Sequence, residues 1–406
     1  MARLGLPVLA AVVVAGALPA LAGRVIRTKV TDAGRSKRLV PVRGHGRTGG
    51  RDYLEFDQEG FAAHPGRLSM RAASGGELLV LGPALPALAG KRLRRIVERG
   101  DASRTIAERR GQLSGHLGET PADFGFAAED VVIQGRPAWV IPAQKSGGGS
   151  AADDGATGGG GGRDGGVWVI HVHGLGSSRS QCLRGVEAFA GLGYTSLLPS
   201  YRTSLDISPD PVRSHLGVSE WRDIDAARRY ALSRGARRIL FVGWSLGASI
   251  VLRTVLHAGD DSSAGAVLVS PALDWPAIIS AQLQRAGCPG LLARWLPHTV
   301  NLVRAKGEPV IRWKGMPGTS AQHRQRIPTL VIHGSDDSSV PVELSRIFVA
   351  GQSPPVRLVE FDGAHHTLEW NAAPQLWNHS VQAWCLSLGL DAGENAIRPI
   401  SARSAG

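Results

Sequence analysis

Residues 238–257 read RILFVGWSLGASIVLRTVLH, and this stretch decides the fold. Residues 239–242 are a short apolar run with strand character, and an apolar pattern with helical spacing follows a few residues later. Between the two, residues 243–247 (GWSLG) match the G-x-S-x-G pattern. A strand that enters a helix through such a turn strains the central residue and exposes its side chain. The stretch therefore predicts a nucleophilic Ser245 at the end of a sheet, with the Leu246 N–H beside it.

A serine nucleophile needs a base that takes its proton and an acid that orients the base. Two later patterns supply both: the strand-like PTLVIH runs into GSDDSSVP, and the strand-like VRLVEF runs into DGAHHT. Each polar loop follows the carboxyl end of a predicted strand, which is where open α/β sheets place their sites. This order predicts Asp337 as the acid and His366 as the base. Asp336 and His365 are the neighbouring alternatives.

Five segments give the chain its likeness to a known family. They are LPSYR (198–202), GVSEWRD (217–223), GWSLG (243–247), SPALDW (270–275) and GAHHTLEWN (363–371). Over residues 135–390 the chain resembles the exported esterase- and lipase-like alpha/beta hydrolases of actinobacteria. The resemblance implies a serine-dependent enzyme with a mostly parallel, doubly wound sheet, which is the alpha/beta-hydrolase fold. In these proteins the second residue of the aligned His pair is the base, which favours His366 over His365.

The same resemblance identifies a second loop of the site. An apolar strand at residues 167–172 leads into His173-Gly-Leu-Gly, which is similar to the oxyanion loop of alpha/beta hydrolases. A carbonyl that is attacked by serine becomes an oxyanion and needs hydrogen-bond donors. We therefore expect the backbone N–H groups of Leu175 and Leu246 to serve as those donors. His173 lies upstream of the serine, and we interpret it as a residue that shapes the loop.

The composition argues against a nucleic-acid or metal-dependent function. The chain has 46 Lys and Arg against 34 Asp and Glu, but 40 of the basic residues are Arg, a bias that GC-rich codons produce. The most basic stretch, residues 91–110, belongs to no recognised nucleic-acid-binding module. The three Cys residues are widely spaced and follow no metal-binding pattern. We expect no nucleic-acid partner, no metal and no cofactor.

The N-terminus carries an apolar stretch of 20 residues, from Leu4 to Gly23. Such a stretch is long enough to span a bilayer. The sequence therefore predicts an enzyme held at a membrane, in the cell envelope, by residues 4–23. The alternative is secretion after cleavage, because Ala20-Leu21-Ala22 resembles a signal-peptidase site.

The remaining patterns suggest how the chain is organised. Strand-like runs at 167–172, 195–199, 239–242, 266–270, 328–333 and 356–361 alternate with helical patterns, as in a parallel sheet. The interval 271–327 is too long for a simple crossover, so we expect a helical cap that supplies an apolar acyl pocket. We expect an anchor or signal segment (1–23), a basic linker (24–52), a small β-rich extension (53–145), a Gly-rich flexible insertion (146–166), the catalytic domain (167–390, with the cap at about 271–327) and a tail (391–406).

These features predict a hydrolase that cleaves carboxylic esters through an acyl-enzyme intermediate. Its expected substrate is a small-molecule or lipid-like ester. The same triad also serves peptidases and amidases, so amide hydrolysis is one alternative. The other is a catalytically silent protein with this fold that binds a partner in the cell envelope.

Overall fold

The computed structural model describes residues 6–32, 39–86, 91–143, 166–207, 213–259, 261–304, 310–313, 327–352 and 356–390. The tail predicted at 391–406 lies outside the described residues, as does the Gly-rich insertion predicted at 146–166 apart from Gly166.

The first part of the chain consists of one long helix followed by short strands. Its elements are α1 (Leu6–Thr31), β1 (Leu39–Pro41), β2 (Gly44–Thr48), β3 (Arg51–Asp57), β4 (Leu68–Ala72), β5 (Leu79–Leu81), β6 (Leu85–Pro86), β7 (Arg92–Arg99), α2 (Ser103–Glu108) and β8 (Arg110–Ser114). The strands form an antiparallel sheet in the order β1-β8-β4-β5-β7-β3-β2, with β6 paired to β7. We call residues 39–114 the N-terminal sheet unit.

The second part alternates strands and helices. Its strands are β9 (Glu129–Ile133), β10 (Arg136–Ile141), β11 (Val167–Val172), β12 (Thr195–Pro199), β13 (Arg238–Trp244), β14 (Ser263–Val269), β15 (Thr329–Gly334) and β16 (Val356–Phe361). Its helices are α3 (Val186–Ala190), α4 (Trp221–Ser233), α5 (Leu246–Ala258), α6 (Trp275–Arg285), α7 (Gly290–Trp295), α8 (Val342–Ala350), α9 (Glu369–Ala372) and α10 (Pro374–Ser387). Short 3₁₀ helices cover Gly60–Ala63, Pro121–Phe124, Arg179–Gly185 and Leu296–Thr299.

These eight strands form a second sheet, in the order β16-β15-β14-β13-β11-β12-β10-β9. The pairs from β16 to β12 are parallel, whereas β12–β10 and β10–β9 are antiparallel. Strand β13 shows why the sheet is central: Ile239 and Phe241 enter one apolar core, and Leu240 and Val242 enter the other. Helices cover both faces, which a parallel sheet requires. The predicted doubly wound α/β architecture is confirmed.

Helix α1 does not end where the apolar stretch ends. It continues through Arg27, which is buried and donates hydrogen bonds to Val300 O (3.5 Å) and Asn301 Oδ1 (3.4 Å). A Cβ on Gly23 would lie 2.2 Å from Thr299 O, so α1 packs tightly on the helical segment between β14 and β15. The end of α1 is therefore part of the folded protein.

That packing bears on the membrane prediction. A spanning helix needs about 20 predominantly apolar residues, and no helix in the described ranges is long and apolar enough to cross a bilayer. The membrane anchor predicted at residues 4–23 is therefore wrong, and with it the predicted location at the cell envelope. The alternative of a cleaved signal segment begins outside the described residues and is not tested by this finding.

The segment expected to be a basic linker, residues 24–52, also differs from that expectation. Its start belongs to α1, and β1 and β2 lie within it. Both strands are at the edges of the N-terminal sheet unit, β1 beside β8 and β2 beside β3. Edge strands tolerate the polar, Gly-rich composition that suggested a linker, because one side of each strand faces no partner strand.

The N-terminal sheet unit packs directly against the second part of the chain. Asn371 Nδ2 donates hydrogen bonds to Arg67 O (2.8 Å) and Gly115 O (3.0 Å), and Asn371 O accepts one from Arg67 N (3.2 Å). A Cβ on Gly66 would lie 1.8 Å from Asn371 O, so only glycine allows this approach. The unit is thereby held beside the loop that contains His366.

Buried Arg95 shapes the face of the unit that makes this contact. Its guanidinium donates to the carbonyl oxygens of Gly66 and Gly82 (2.8 Å each) and Ala62 (2.9 Å), and to that of His64. A buried cation is tolerated when its donors are satisfied in this way. Arg95 therefore fixes the loop of residues 60–66 within the N-terminal sheet unit.

Candidate active site

Ser245 lies in the sharp turn between β13 and α5. Its backbone has φ 53° and ψ −114°, a conformation that non-glycine residues rarely adopt. The turn is possible because Gly243 and Gly247 carry no side chain. A Cβ on Gly247 would lie 2.1 Å from Val172 O, and one on Gly243 would lie 2.6 Å from Ala248 Cα. The strained turn presents Ser245 Oγ at the carboxyl end of the sheet.

The three residues that the sequence singled out for catalysis lie together. His366 Nε2 is 2.8 Å from Ser245 Oγ, and His366 Nδ1 is 2.6 Å from Asp337 Oδ2. Ser245 and His366 are half-buried, whereas Asp337 is buried. Both distances are within hydrogen-bond range. The two contacts connect a serine hydroxyl, an imidazole and a carboxylate in the order that a nucleophile, its base and its acid require.

Asp337 is held as an anion. Its Oδ1 accepts hydrogen bonds from the backbone N–H groups of Ser339 (2.7 Å) and Val340 (2.8 Å), and His333 Nε2 lies 3.1 Å from its Oδ2. Burial alone would raise the pKa of this carboxyl. The attraction of His366 and the hydrogen bonds from His333 and His366 outweigh burial and hold the pKa of Asp337 well below its usual range. Asp337 therefore stays ionised throughout the range in which a histidine titrates.

The neighbouring alternatives point elsewhere. The ring of His365 packs edge-on against the rings of His64 and Phe61, with centroid distances of 5.5 and 6.4 Å. Asp336 is exposed, and its carboxylate accepts a hydrogen bond from Ser335 Oγ (3.4 Å). The structure brings His366 and Asp337, rather than His365 and Asp336, to Ser245.

The loop after β11 lies against the nucleophile. A Cβ on Gly174 would be 3.3 Å from Ser245 Cβ, and Gly174 N donates to Gln181 Oε1 (2.7 Å). Leu175 is the next residue of this loop. Leu246 is the first residue of α5, so its N–H has no acceptor within the helix. These are the two residues whose N–H groups the sequence assigned to the oxyanion.

His173 supports this loop from beneath. It is buried, its ring stacks on Tyr201 at 4.1 Å, and its Nε2 lies 2.5 Å from Ser204 Oγ. Burial lowers the pKa of His173 to about 4, so the ring is neutral at neutral pH. The Tyr201 hydroxyl also donates to the carbonyl oxygens of His173 (3.0 Å) and Gly174 (3.2 Å). These contacts fix the loop without bringing His173 to Ser245.

Arg184 joins the two loops, and sequence reasoning missed it. It is buried, its Nη1 donates to Thr367 O (3.0 Å) and to Asn371 Oδ1, and its Nε donates to Gln181 O (3.3 Å). The side chain of the same Gln181 holds Gly174 N. One guanidinium therefore connects the loop after β11 with the loop that carries His366. Because the chain has 40 Arg residues and Arg184 lies in no recognised motif, the sequence did not distinguish this one from the others.

Glu369 is a second supporting residue that the sequence did not reveal. It is fully buried, and its Oε1 accepts hydrogen bonds from Gly334 N (3.1 Å) and from Ser270 Oγ. Ser270 Oγ in turn accepts one from Thr367 N (3.1 Å). Burial raises the pKa of Glu369. This carboxyl ties the ends of β14 and β15 to the loop after β16.

A cavity of about 260 Å³ opens beside His366. Loops of the second sheet line one side, including Gly176 next to Leu175, and the N-terminal sheet unit lines the other. We expected the helical segment at 271–327 to supply the pocket, but none of its described residues lines this cavity. That segment instead contacts the loop that contains Asp337, where Gln282 Nε2 donates to Ser339 O (2.9 Å) and Arg285 Nη1 to Ser338 O.

The described residues were also considered for a metal site. No three His, Cys, Asp or Glu side chains among them lie close enough together to hold a metal ion. Cys182 and Cys385 are buried, and burial raises the pKa of the Cys385 thiol to about 12. Both behave as small apolar side chains of the core.

A model of the alpha/beta hydrolase family matches residues 169–377, which are 209 of the 406 residues and include all three residues gathered at Ser245. The chain belongs to the alpha/beta hydrolase family. The predicted fold and the prediction of an enzyme from this superfamily are confirmed. The finer likeness to exported actinobacterial proteins stays a prediction.

Several solved structures are similar to this alpha/beta hydrolase. An esterase of Pyrococcus furiosus has a TM-score of 0.46 and 20% identity, covering 67% of this chain and 94% of the esterase. A meta-cleavage product hydrolase from Pseudomonas fluorescens has a TM-score of 0.43 and 16% identity, covering 64% of this chain and 98% of the other. A thermophilic esterase from Thermogutta terrifontis has a TM-score of 0.42 and 14% identity, covering 64% and 99%. No curated protein matches the chain in sequence.

Proposed function

We propose that this alpha/beta hydrolase cleaves carboxylic ester bonds through a Ser245–His366–Asp337 triad and an acyl-enzyme intermediate. The observation that carries the proposal is the hydrogen-bonded chain from Ser245 Oγ through both His366 ring nitrogens to Asp337, with 2.8 and 2.6 Å between the heavy atoms. A base that contacts both the nucleophile and an ionised acid is what activation of a serine requires.

In the proposed reaction, Ser245 Oγ attacks the ester carbonyl carbon while His366 Nε2 takes the hydroxyl proton. The N–H groups of Leu175 and Leu246 stabilise the oxyanion of the tetrahedral intermediate. His366 then returns the proton to the departing alcohol as the carbon–oxygen bond breaks, which leaves an acyl-Ser245. Water attacks the acyl carbon while His366 takes a proton from it, the bond from that carbon to Ser245 Oγ breaks, and His366 returns the proton to Oγ as the acid leaves. Asp337 orients His366 and stabilises its cationic form.

The strongly ionised state of Asp337 supports this assignment of roles. Both of its oxygens accept hydrogen bonds, and the resulting low pKa keeps a negative charge beside His366 Nδ1. That charge favours the tautomer in which Nε2 is unprotonated and faces Ser245. His366 is therefore prepared to accept the serine proton.

The test is the replacement Ser245→Ala, assayed on a p-nitrophenyl acyl ester. Removal of the nucleophile is expected to lower kcat on the order of 10⁵-fold. Ser233→Ala, at an exposed position of α4, is the matched control and should keep the wild-type rate. A loss of about 10²-fold or less in folded Ser245→Ala would overturn the proposal.

A further inference from the structure

His333 is a buried histidine in contact with the acid of the proposed triad. It lies in β15, and its side chain has no exposed surface. Its Nε2 lies 3.1 Å from Asp337 Oδ2 and 3.0 Å from Val340 O. Its Nδ1 lies 2.7 Å from the hydroxyl of Ser345, which is buried in α8. Both ring nitrogens are therefore engaged, and the ring is fixed between β15 and α8.

These contacts determine which nitrogen of His333 carries a hydrogen. Carboxylate and carbonyl oxygens only accept hydrogen bonds, so an Nε2 that faces Asp337 Oδ2 and Val340 O must be protonated. The hydroxyl of Ser345 can either donate or accept, so it suits Nδ1 in the neutral ring and in the cationic ring. His333 is therefore a hydrogen-bond donor to Asp337 in either charge state.

Hydrogen-bond donors hold both oxygens of Asp337. The backbone N–H groups of Ser339 and Val340 donate to Oδ1. His333 and His366 contact Oδ2. In the proposed reaction His366 takes and returns a proton, so its own charge changes at each step. His333 is the partner of Oδ2 that stays the same throughout.

Val340 joins the two sides of this carboxylate. Its N–H donates to Asp337 Oδ1 (2.8 Å), and its carbonyl oxygen accepts from His333 Nε2 (3.0 Å). The hydrogen of His333 is therefore shared between Val340 O and Asp337 Oδ2. The contact of His366 with Oδ2 is shorter, at 2.6 Å against 3.1 Å, so His333 fixes this oxygen without displacing the base.

We propose that His333 is a positioning residue of the active site, which holds the Asp337 carboxylate so that Oδ2 faces His366 Nδ1. This inference rests on the proposed ester hydrolysis. Because His333 is fully buried, it cannot touch a substrate and acts only through Asp337. Loss of the contact should lower kcat, because a misdirected base slows proton transfer, and should leave KM nearly unchanged.

The test compares His333→Leu with His171→Leu in the hydrolysis of p-nitrophenyl butyrate, at a temperature where both variants are folded. His171 is the matched control, because it is a fully buried histidine of the same sheet whose Nε2 also contacts a serine hydroxyl, that of Ser196 at 3.1 Å. His333→Leu is expected to lower kcat by about 10- to 100-fold, the range for one hydrogen bond to a charged group, with KM changed by less than about 2-fold. His171→Leu should keep kcat within about 3-fold of the wild type. His333→Gln keeps an N–H near the position of Nε2 and should recover most of the loss.

A spectroscopic readout separates positioning from a general loss of stability. The hydrogen between His366 Nδ1 and Asp337 Oδ2 lies in a short, charge-assisted bond, so its ¹H NMR signal should lie far downfield of the backbone amides. The signal should be absent from His366→Ala. It should move upfield and broaden in His333→Leu, because Oδ2 is no longer fixed, and stay unchanged in His171→Leu.

The possible failures are distinguishable. An unchanged kcat or an unchanged NMR signal in folded His333→Leu would refute the role of His333 and leave ester hydrolysis standing. Equal losses of kcat in His333→Leu and His171→Leu, or in His333→Leu and His333→Gln, would also refute it. A wild-type protein that turns over no ester and is not labelled on Ser245 by a fluorophosphonate would refute ester hydrolysis, and this inference with it.

Discussion

The two sheets of this enzyme differ in how they are buried and in what they bring to the site. Strand β13 is buried from Ile239 to Trp244, and its carboxyl end delivers Ser245. Strand β7 of the N-terminal sheet unit alternates buried and more exposed residues and carries no residue of the triad. A parallel sheet gathers the ends of several strands at one edge, where reacting groups can meet. An antiparallel sheet offers a face, and here that face becomes a wall of the cavity.

This division of roles between the two sheets would be wrong if a residue in contact with the N-terminal sheet unit served as the base. His365 packs on that unit, whereas His366 contacts Ser245, so the two neighbours test the division. His366→Ala is expected to lower kcat/KM for p-nitrophenyl butyrate by about 10⁴-fold or more, because it removes the base. His365→Ala should cost less than about 10-fold. Equal losses in variants of equal stability would contradict the assignment.

The connection between the two sheets can be weakened at Asn371. Asn371→Ala removes a hydrogen bond to Arg67 in the N-terminal sheet unit, one to Gly115 directly after it, and one partner of buried Arg184. Unsatisfied buried groups cost about 1–3 kcal/mol each, so we expect the free energy of unfolding in urea to fall by about 3 kcal/mol. Asn378→Ala, in α10, loses only partly exposed bonds and should cost about 1 kcal/mol or less. Equal losses would show that the contact at Asn371 does not couple the two sheets.

Acid should weaken both regions through their buried histidines. Burial lowers the pKa of His171, in β11, to about 3, and burial together with His365, Arg95 and Arg184 lowers that of His64 to about 3. A folded-state pKa below the unfolded value of 6.5 gives stability that is present above pH 6.5 and is lost as the pH falls toward 3.

Each of these two histidines should therefore reduce the free energy of unfolding by about 2 kcal/mol between pH 7 and pH 5. His64→Leu, in the N-terminal sheet unit, and His171→Leu, in the second sheet, should each make the fall in the free energy of unfolding between pH 7 and pH 5 smaller by about 2 kcal/mol. The measurement is urea unfolding of the wild type and both variants at pH 7 and pH 5. The same pH difference in all three proteins would contradict the account of these two sites.

The sequence predicted the centre of the second sheet well because its central strands are buried on both faces. Such strands read as continuous apolar runs, and the predicted runs at 167–172 and 195–199 agree with β11 and β12, which are buried throughout. The partly exposed edge strand β16 also agrees with its predicted run at 356–361. Ser245, Asp337 and His366 each lie within a few residues of the end of β13, β15 or β16, so their positions after the strands could be located. The order Ser245, Asp337, His366 follows from those positions.

The N-terminal sheet unit was harder to predict because its contacts are distant in sequence. Arg67 of the unit meets Asn371 across 304 residues, and Arg27 of the preceding helix α1 meets Val300 across 273. The apolar pattern that suggested a membrane anchor contains no information about those partners. The contribution of the N-terminal sheet unit to the cavity was missed for the same reason, since Gln112 and Ser177 line one cavity only through the packing of the two sheets.

The central claim is that Ser245 is a nucleophile activated by His366. The most direct test is labelling of the folded protein with a fluorophosphonate, followed by mass mapping of the modified peptide. The account predicts one adduct, on Ser245, in the wild type and its absence in Ser245→Ala and His366→Ala. A folded wild-type protein that forms no adduct, or forms it on another serine, would contradict the claim; the first result would instead favour a catalytically silent binding protein.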